Sequence, residues 1–493
     1  MKTFLDWSAY DTYGIGDAYS GIPATGGNYA KAVAVCMHSR DCRNTGKGVM
    51  CPSYRITGDK DHSTEARVAA FKAALNDGTD ANAFADPRLD AAMDLCVSCK
   101  ACKKECPSAV DMTLIKTEYL AQRHEIKGVP RRTRLFGGVP EWTGRHRRLL
   151  RLAIRLRNRS RLLTKAAEKL LGISARRAIP EPAPRPYAAP AAAPMPAEAP
   201  RGEVILFVDT FCHHFEPEVA EAAHAVLTHA GYAVRIAKPD PADAEPDRPL
   251  CCGRTYLTTG MVEKARSEGK RVLAAFRGEI AAQTPIIGLE PSCLLSLRDE
   301  LYSLGLGPEV GALGKQLFLL EEFLAREHQN KGLRMRLKPL PGPKAVLHGH
   351  CHQKAFGVMK ATRKVLGFIP GFSYDIVETS CCGMAGSFGL EAEHYDASMQ
   401  MAELALLPAM RAAPQDAPLI ANGFSCRHQI EHGSGRKARH IALLLRDALD
   451  LERLTKRFVN HIWRCVGHGQ EAVARRPLGG DRPVVSMRCA SPE

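Results

Sequence analysis

The 493-residue chain has no run of about 18 to 20 consecutive apolar residues, so no membrane-spanning helix is expected. Its start, Met1-Lys2-Thr3-Phe4-Leu5-Asp6-Trp7, has no continuous apolar stretch, which argues against a secretory signal. Aromatic residues are few, 6% with three tryptophans. Acidic residues run short in one place only. Between Arg131 and Arg177, fifteen Lys/Arg face two acids, Glu141 and Glu168, a net +13 of the chain's +15. The basicity is therefore a local patch. With only Phe136 and Trp142 as aromatics it offers no stacking platform for bases, and no nucleic-acid partner is expected. Cysteine, by contrast, is abundant. Seventeen of them in a reducing cytoplasm suggest metal or redox chemistry before disulfides. The length argues for two to four domains, and 45% hydrophobic with 25% charged residues is a soluble globular balance.

Cys96-Val-Ser-Cys99-Lys-Ala-Cys102-Lys-Lys-Glu-Cys106-Pro107 has the C-x2-C-x2-C-x3-C-P spacing of a ferredoxin-type cluster loop. Two-residue gaps let a tight loop aim three sulfurs inward. The fourth Cys, followed by Pro, turns away to a second cluster. A second Cys-Pro, Cys51-Pro52, supplies the exchange partner. Cys51, Cys96, Cys99 and Cys102 then hold one [4Fe–4S] cluster. Cys106 joins Cys36 and Cys42, which are spaced C-x5-C. Three thiolates make the second cluster either three-iron or dependent on a non-Cys ligand such as His38 or Asp41. Helices are expected over 65–75, 88–95 and after Asp111. Lys100, Lys103 and Lys104 are expected to stay solvated.

The basic patch repeats Leu149, Leu152, Ala153, Leu156, Leu162, Leu163, Ala166, Leu170 and Leu171 at helical spacing, an amphipathic basic helix. It either packs on the body with a solvated basic face or docks an anionic membrane surface or an acidic partner. Residues 178–200 hold eight prolines and nine alanines, an extended semi-rigid linker.

After the linker the pattern turns α/β. Apolar strand-like runs near 204–208, 286–290, 345–348, 374–377 and 419–423 lead to Cys212, Cys251-Cys252-Gly253 and Cys293, then to Cys351, Cys381-Cys382-Gly383 and Cys426. In a parallel sheet such positions collect at the C-terminal crevice where ligands bind. That places four thiols in each of two lobes, for further iron–sulfur clusters or zinc. His348, His350 and His352 alternate along what reads as an extended segment, so one could act as ligand or proton relay. Cys465 and Cys489 match nothing. The expected fold is an α-helical dicluster ferredoxin-like domain followed by an α/β tandem-repeat Cys-Cys-Gly domain. The boundaries are 1–30 an N-terminal extension, 31–128 the dicluster domain, 129–177 the basic helical segment, 178–200 the linker, 201–340 and 341–450 the two lobes, and 451–493 a tail.

These motifs carry a resemblance. Leu5-Asp6-Trp7-Ser8, Met50-Cys51-Pro52-Ser53-Tyr54-Arg55, the Cys96 loop, Gly288-Leu289-Glu290-Pro291-Ser292-Cys293, His350-Cys351-His352-Gln353-Lys354-Ala355, Cys381-Cys382-Gly383-Met384-Ala385-Gly386 and Ser425-Cys426-Arg427-His428 resemble one family. It is that of twin Cys-Cys-Gly iron–sulfur proteins serving FAD-linked 2-hydroxyacid dehydrogenases. The glycolate oxidase iron–sulfur subunit and the C-terminal half of fused D-lactate or D-2-hydroxyglutarate dehydrogenases are examples. In the fused members the Leu-Asp-Trp-Ser segment follows a flavin domain, and here it stands at the N-terminus. The resemblance thus implies FAD on a separate partner subunit, and electrons passing through this cytoplasmic chain to quinone or another acceptor. Heterodisulfide reductase relatives end each lobe in C-x2-C, where this chain has Glu290 and Gly423 in place of the first Cys. Disulfide reduction is therefore doubtful. The readings from other classes are a self-sufficient heterodisulfide- or quinone-reducing enzyme and a zinc-stabilised nucleic-acid-binding protein.

Overall fold

A computed structural model describes residues 2–13, 21–46, 48–77, 83–190, 200–333 and 335–450. The 451–493 tail, with Cys465 and Cys489, lies outside the described residues.

The N-terminal part is helical: α1 (Gly27–Ala34), α2 (Pro52–Thr57), α3 (Thr64–Asp77), α4 (Pro87–Asp94), α5 (Ala101–Glu105) and α6 (Met112–Lys127). The three helices expected around the cysteine loops are α3, α4 and α6. Their common core is aromatic, with Tyr29 against Phe71 and Phe84, and Phe71 edge-on to Tyr119. Leu5 and Trp7 are buried in it. The backbone N–H groups of Phe4 and Leu5 and the Trp7 indole N–H all donate to the Glu118 carboxylate. Farther along, Asp6 N–H donates to Ser303 O, and the Arg266 guanidinium to Phe4 O. The first residues therefore strap the helical part to the α/β part.

Three helices follow: α7 (Arg131–Gly137), α8 (Val139–Arg159) and α9 (Arg161–Leu171). The chain over 178–190 forms no helix or strand, in keeping with its prolines. It nevertheless lies on the body instead of spanning free space. Ala183 N–H donates to His214 O, Tyr187 N–H to His213 O, and Tyr187 is buried.

The rest is α/β with two all-parallel sheets. The first has the order β2-β1-β3-β4, from β1 (Glu203–Phe207), β2 (Ala233–Ile236), β3 (Ile286–Gly288) and β4 (Leu317–Leu319). Its register pairs Ile205 with Ile286, and Ile286 with Leu317. The second has the order β6-β5-β7, from β5 (Ala345–His348), β6 (Tyr374–Ile376) and β7 (Leu419–Ala421), with Val346 opposite Leu419. Parallel strands are covered on both faces, which is why Val204-Ile205-Leu206-Phe207 is apolar throughout and buried. Covering helices are α10 (Thr210–His214), α11 (Pro217–His229), α12 (Arg254–Thr258), α13 (Val262–Ala275), α14 (Arg277–Ala282), α15 (Pro291–Arg298), α16 (Glu309–Gln316) and α17 (Leu320–Lys331). In the second lobe they are α18 (Cys351–Ala355), α19 (Met359–Leu366), α20 (Tyr395–Glu403), α21 (Leu406–Ala412), α22 (Phe424–Ser434) and α23 (Ile441–Asp447). One core joins the lobes, with Val204, Leu206 and Ile287 of the first sheet and Ala345, Leu347 and Ile420 of the second.

Two local expectations are corrected. The stretch 262–282, whose sequence reads as one helix, forms two, because Phe276 leaves helical geometry to pack edge-on against Phe207. The first Cys pair does not directly follow a strand: Cys251 comes after the loop 237–250.

Candidate metal centres

The Cys96 loop bends by placing non-glycine residues in the left-handed region, Ser98 at φ 49° and Lys100 at φ 63°. Side chains rarely adopt that region, and here it curls the backbone so that thiols on a short loop converge. Cys51 enters from the N-cap position of α2, where Pro52 takes the first helical place. The Cys102 thiol feels the charges of Cys51 and Cys96, and Cys99 those of Cys102 and Cys51. The structure thus brings together the four residues expected to share a cluster. Its polar neighbours suit an anionic sulfur set: Arg67 donates to Cys51 Sγ at 3.2 Å, and Thr64 Oγ1 lies 3.2 Å from Cys102 Sγ. Burial alone would raise the Cys51 thiol, but the Arg67 charge and the hydrogen bonds of Ser53 and Arg67 outweigh it and hold the thiol below its ordinary value.

Arg67 is a site residue that the spacing arguments missed. It is 1% exposed, and its other donors bind Ala92 O and Ser53 Oγ. The available signal was one arginine on the face of α3 that also carries the buried Val68, Phe71, Ala74 and Leu75.

Around the other set, Cys36 faces Cys106, and Met37 N–H donates to Ser108 Oγ across the two loops. Cys42 sits in the short helical turn Asp41–Arg43. His38 is tied to the Glu65 carboxylate, 3.1 Å from Nδ1, and Arg43 reaches the same carboxylate at 2.8 Å. Residues 35–111 match the 4Fe-4S dicluster domain. The dicluster domain thus spans all seven N-terminal cysteines. Over 252 residues the chain is 26% identical to a subunit of the anaerobic glycerol-3-phosphate dehydrogenase of Escherichia coli strain K12, covering 50% of this chain and 60% of that protein. It is 24% identical to D-2-hydroxyglutarate dehydrogenase of the same strain over 359 residues, 71% of this chain and 33% of the relative. Lactate utilization protein A of Bacillus subtilis strain 168 is 24% identical over 196 residues, 38% of this chain and 75% of that one. The chain spans 60% or less of the length of the first two of these relatives. No solved structure matches. The resemblance to iron–sulfur proteins of dehydrogenase systems holds.

Beyond the dicluster domain, the second lobe carries a continuous chain of thiol contacts, Cys351 to Cys381 to Cys382 to Cys426. Contact with Cys381, ahead of the opposing burial, holds Cys351 well below the ordinary thiol value, and contacts with Cys381 and Cys426 do the same for Cys382. The first lobe links Cys251, Cys252 and Cys293. Cys212 is buried nearby in α10 among Asp209, Arg427 and Glu290 and does not join that thiol chain. In both lobes the glycine after the pair donates its N–H to the first sulfur, Gly253 to Cys251 and Gly383 to Cys381, each at 3.4 Å. Zinc would need sulfurs roughly 3.8 Å apart, given Zn–S of about 2.3 Å. Among the described residues the one trio of ligand atoms within 4.8 Å of each other is Glu391, Glu393 and His394, without a cysteine.

Two expectations about nearby residues are corrected. Lys100 is not solvated. Its side chain is 1% exposed, with Nζ 2.5 Å from Asp299, 3.3 Å from Glu300 and 3.6 Å from Asp111. Lys103 shares Asp111 and Asp299. The positive φ at Lys100 turns its side chain inward, where carboxylates from α6's N-cap and the end of α15 await it. Likewise His348, His350 and His352 do not alternate along a strand. The strand ends at His348, and His350 caps α18 by accepting from His352 N–H, so the periodicity changes at Cys351. His352 Nε2 meets Arg254 at 3.2 Å, and burial with the Arg254 charge holds the ring well below its ordinary value.

The parts converge at one place. Cys99 of the dicluster domain feels Cys351 of the second lobe. A cavity of about 430 Å³ is lined by Cys96, Cys351, Cys381 and Cys382, with Phe136 and Trp142 of α7 and α8 on its wall. Glu290 joins the two lobes there, and Gly423 closes the second lobe on itself. The Glu290 carboxylate accepts from Phe424 N–H at 2.7 Å, and Gly423 packs against the His350 ring.

Proposed function

We propose that this chain is the iron–sulfur electron-transfer component of a flavin-linked dehydrogenase acting on a 2-hydroxyacid of the glycolate or D-lactate type or on a related phosphate ester, and that it delivers electrons to a quinone-class acceptor. The observation that carries this reading is the junction where Cys99 approaches Cys351 and where Cys96 shares a cavity with Cys381 and Cys382. Iron–sulfur clusters, when bound, carry single electrons. Cys51, Cys96, Cys99 and Cys102 would hold one, and Cys36, Cys42 and Cys106 a second. Cys351, Cys381, Cys382 and Cys426, and Cys251, Cys252 and Cys293 with Cys212, would serve the twin Cys-Cys-Gly lobes.

The chain's own residues do the rest. Arg67 balances thiolate charge that burial would otherwise penalise. Lys100 and Arg254 both bind Glu300, fixing the dicluster loop against α15, and Arg254 carries the contact on to His352 in the second lobe. Phe136, Phe388 and Phe424 give the cavity walls that suit a flat ring, and His350 and Glu290 place hydrogen-bonding groups on them.

The outer face of α8 and α9 supports attachment at an anionic membrane surface. Leu149 is 67% exposed, Leu162 81% and Leu170 78%, so the apolar stripe faces away from the body. Among the described residues, no carboxylate pairs with Arg148, Arg151, Arg155, Arg159, Arg161, Lys165 or Lys169. Exposed leucines flanked by unpaired cations fit a lipid headgroup layer. No helix among the described residues is long and apolar enough to cross a membrane.

The test is anaerobic purification of the tagged chain from its native host, with assays for iron, acid-labile sulfide, zinc and flavin. Iron and sulfide with co-purifying FAD are expected, and zinc without sulfide would overturn the reading.

A further inference from the structure

The loops that begin at Cys36 and Cys96 share one backbone shape. Two and four residues after the first Cys, both loops enter the left-handed region: His38 at φ 55° and Arg40 at φ 64°, against Ser98 at φ 49° and Lys100 at φ 63°. None of these is a glycine, so each carries a steric cost that a chance turn would avoid. Arg40 and Lys100 then cap short helical segments, Asp41–Arg43 and Ala101–Glu105, which carry Cys42 and Cys102. Position for position, Cys36 matches Cys96 and Cys42 matches Cys102. Ser39 stands where Cys99 stands.

The two positions differ in surroundings as well as in chemistry. Cys99 is buried, whereas Ser39 and its neighbours 37–40 are exposed. A serine hydroxyl does not ionise near neutrality as a thiol does, so it is a poor substitute for a thiolate donor. The Ser39 hydroxyl instead accepts from Asp41 N–H at 3.4 Å. His38, the nearest alternative donor, is held by Glu65. On the opposite side the site is closed by Cys106 and by the Met37–Ser108 hydrogen bond.

We propose that Cys36, Cys42 and Cys106 form a three-thiolate iron–sulfur site whose fourth corner, beside Ser39, opens to solvent, so that of the two dicluster sites this one loses one iron on oxidation. The proposal rests on the iron–sulfur reading above and adds which cluster is labile and why. In that loss, a [4Fe–4S]2+ core gives a [3Fe–4S]+ core, one Fe2+ and one electron, and a one-electron oxidant such as ferricyanide takes the electron.

The experiment uses the full chain reconstituted anaerobically with iron and sulfide, as wild type, Ser39→Cys and Ser39→Ala. Each is treated with ferricyanide, followed by electron paramagnetic resonance and by chelator assay of released Fe2+. Wild type should develop a three-iron signal of about one spin per chain and release about one Fe2+, since one of its two dicluster sites lacks a fourth thiolate. Ser39→Ala should behave as wild type, and Ser39→Cys should lose both responses because the thiol restores the Cys99 equivalent. Wild type with iron and sulfide for both sites and no three-iron signal overturns the proposal, even if Ser39→Cys fails to fold. A changed Ser39→Ala response also overturns it, by making the hydroxyl a ligand. A chain that takes up no iron and sulfide overturns the electron-transfer reading itself, and the two failures are thus distinguishable.

Discussion

Replacing Arg67 should shift one cluster potential without emptying the site. Its guanidinium is 1% exposed and lies 3.2 Å from Cys51 Sγ, with Cys96 and Cys102 also within its field. A hydrogen bond to a charged group contributes about 1.5–3 kcal/mol. Reduction adds negative charge to the cluster, so this donor stabilises the reduced form more than the oxidised one. A factor of ten is about 1.4 kcal/mol, or about 59 mV for one electron, and only the part of that energy that differs between the two oxidation states counts, so Arg67→Met should lower the potential by at most roughly 65–130 mV. Arg67→Lys keeps the charge and loses the fork, and should fall between the two. The assay is an anaerobic redox titration monitored by paramagnetic resonance, with iron content measured first. That control matters because the substitution also removes donors to Ala92 O and Ser53 Oγ. A wild-type potential in fully loaded Arg67→Met would refute the argument that this buried cation balances the thiolates.

Lys100→Met removes one of the two cations that Asp299, Glu300 and Asp111 each share. It should destabilise by less than the loss of about 3–5 kcal/mol expected for a fully unpaired buried charge, because Lys103 stays on Asp111 and Asp299 and Arg254 on Glu300; an unchanged denaturation midpoint would contradict it. Gly383→Ala should be far worse than Gly253→Ala. Both have positive φ, but a Cβ at 383 overlaps the Ser398 carbonyl oxygen, whereas at 253 it stands 3.1 Å from that of Ala265; equal thermal shifts would sink this comparison. His394 lies between Asp94 and Glu391, whose hydrogen bonds outweigh the effect of burial and raise it to about 9. Its stabilising contribution is therefore complete below about pH 6.5, the ordinary imidazole value, and is lost as pH rises through about 9. The effect should be modest, because Asp94 is 56% exposed. Melting curves across that window should converge for wild type and His394→Phe at the alkaline end, and parallel curves would count against it. Leu152→Glu with Leu156→Glu should abolish sedimentation with anionic vesicles while leaving the fold intact, as both side chains are more than half exposed; retained sedimentation would remove α8 from the membrane contact.

The cluster loop is legible in the sequence because its chemistry is local. Cys96, Cys99, Cys102 and Cys106 lie within eleven residues, and their spacing states the geometry directly. Strands β1, β3, β5, β6 and β7 show as apolar runs. β2 and β4 leave no comparable signal: β2 is only partly buried, and β4 runs without a break into the helix that begins at Leu320. The fates of Lys100 and Arg67 depend on carboxylates and thiols far away in sequence, and no local pattern records such a pairing. The histidine segment misleads because alternation in sequence continues across the point where the strand gives way to a helix.

The Glu290–Phe424 and Gly423–His350 contacts limit how many sulfurs each lobe can carry. At 290 the first lobe presents a carboxylate that the second lobe's backbone uses, and at 423 the second lobe presents a bare α-carbon that its own His350 ring fills. A cysteine placed at 423 would drive its Cβ into the imidazole, and one placed at 290 would leave Phe424 N–H without its acceptor. A fifth sulfur in either lobe is therefore opposed by packing or hydrogen bonding, and adding one would require its neighbour to change as well.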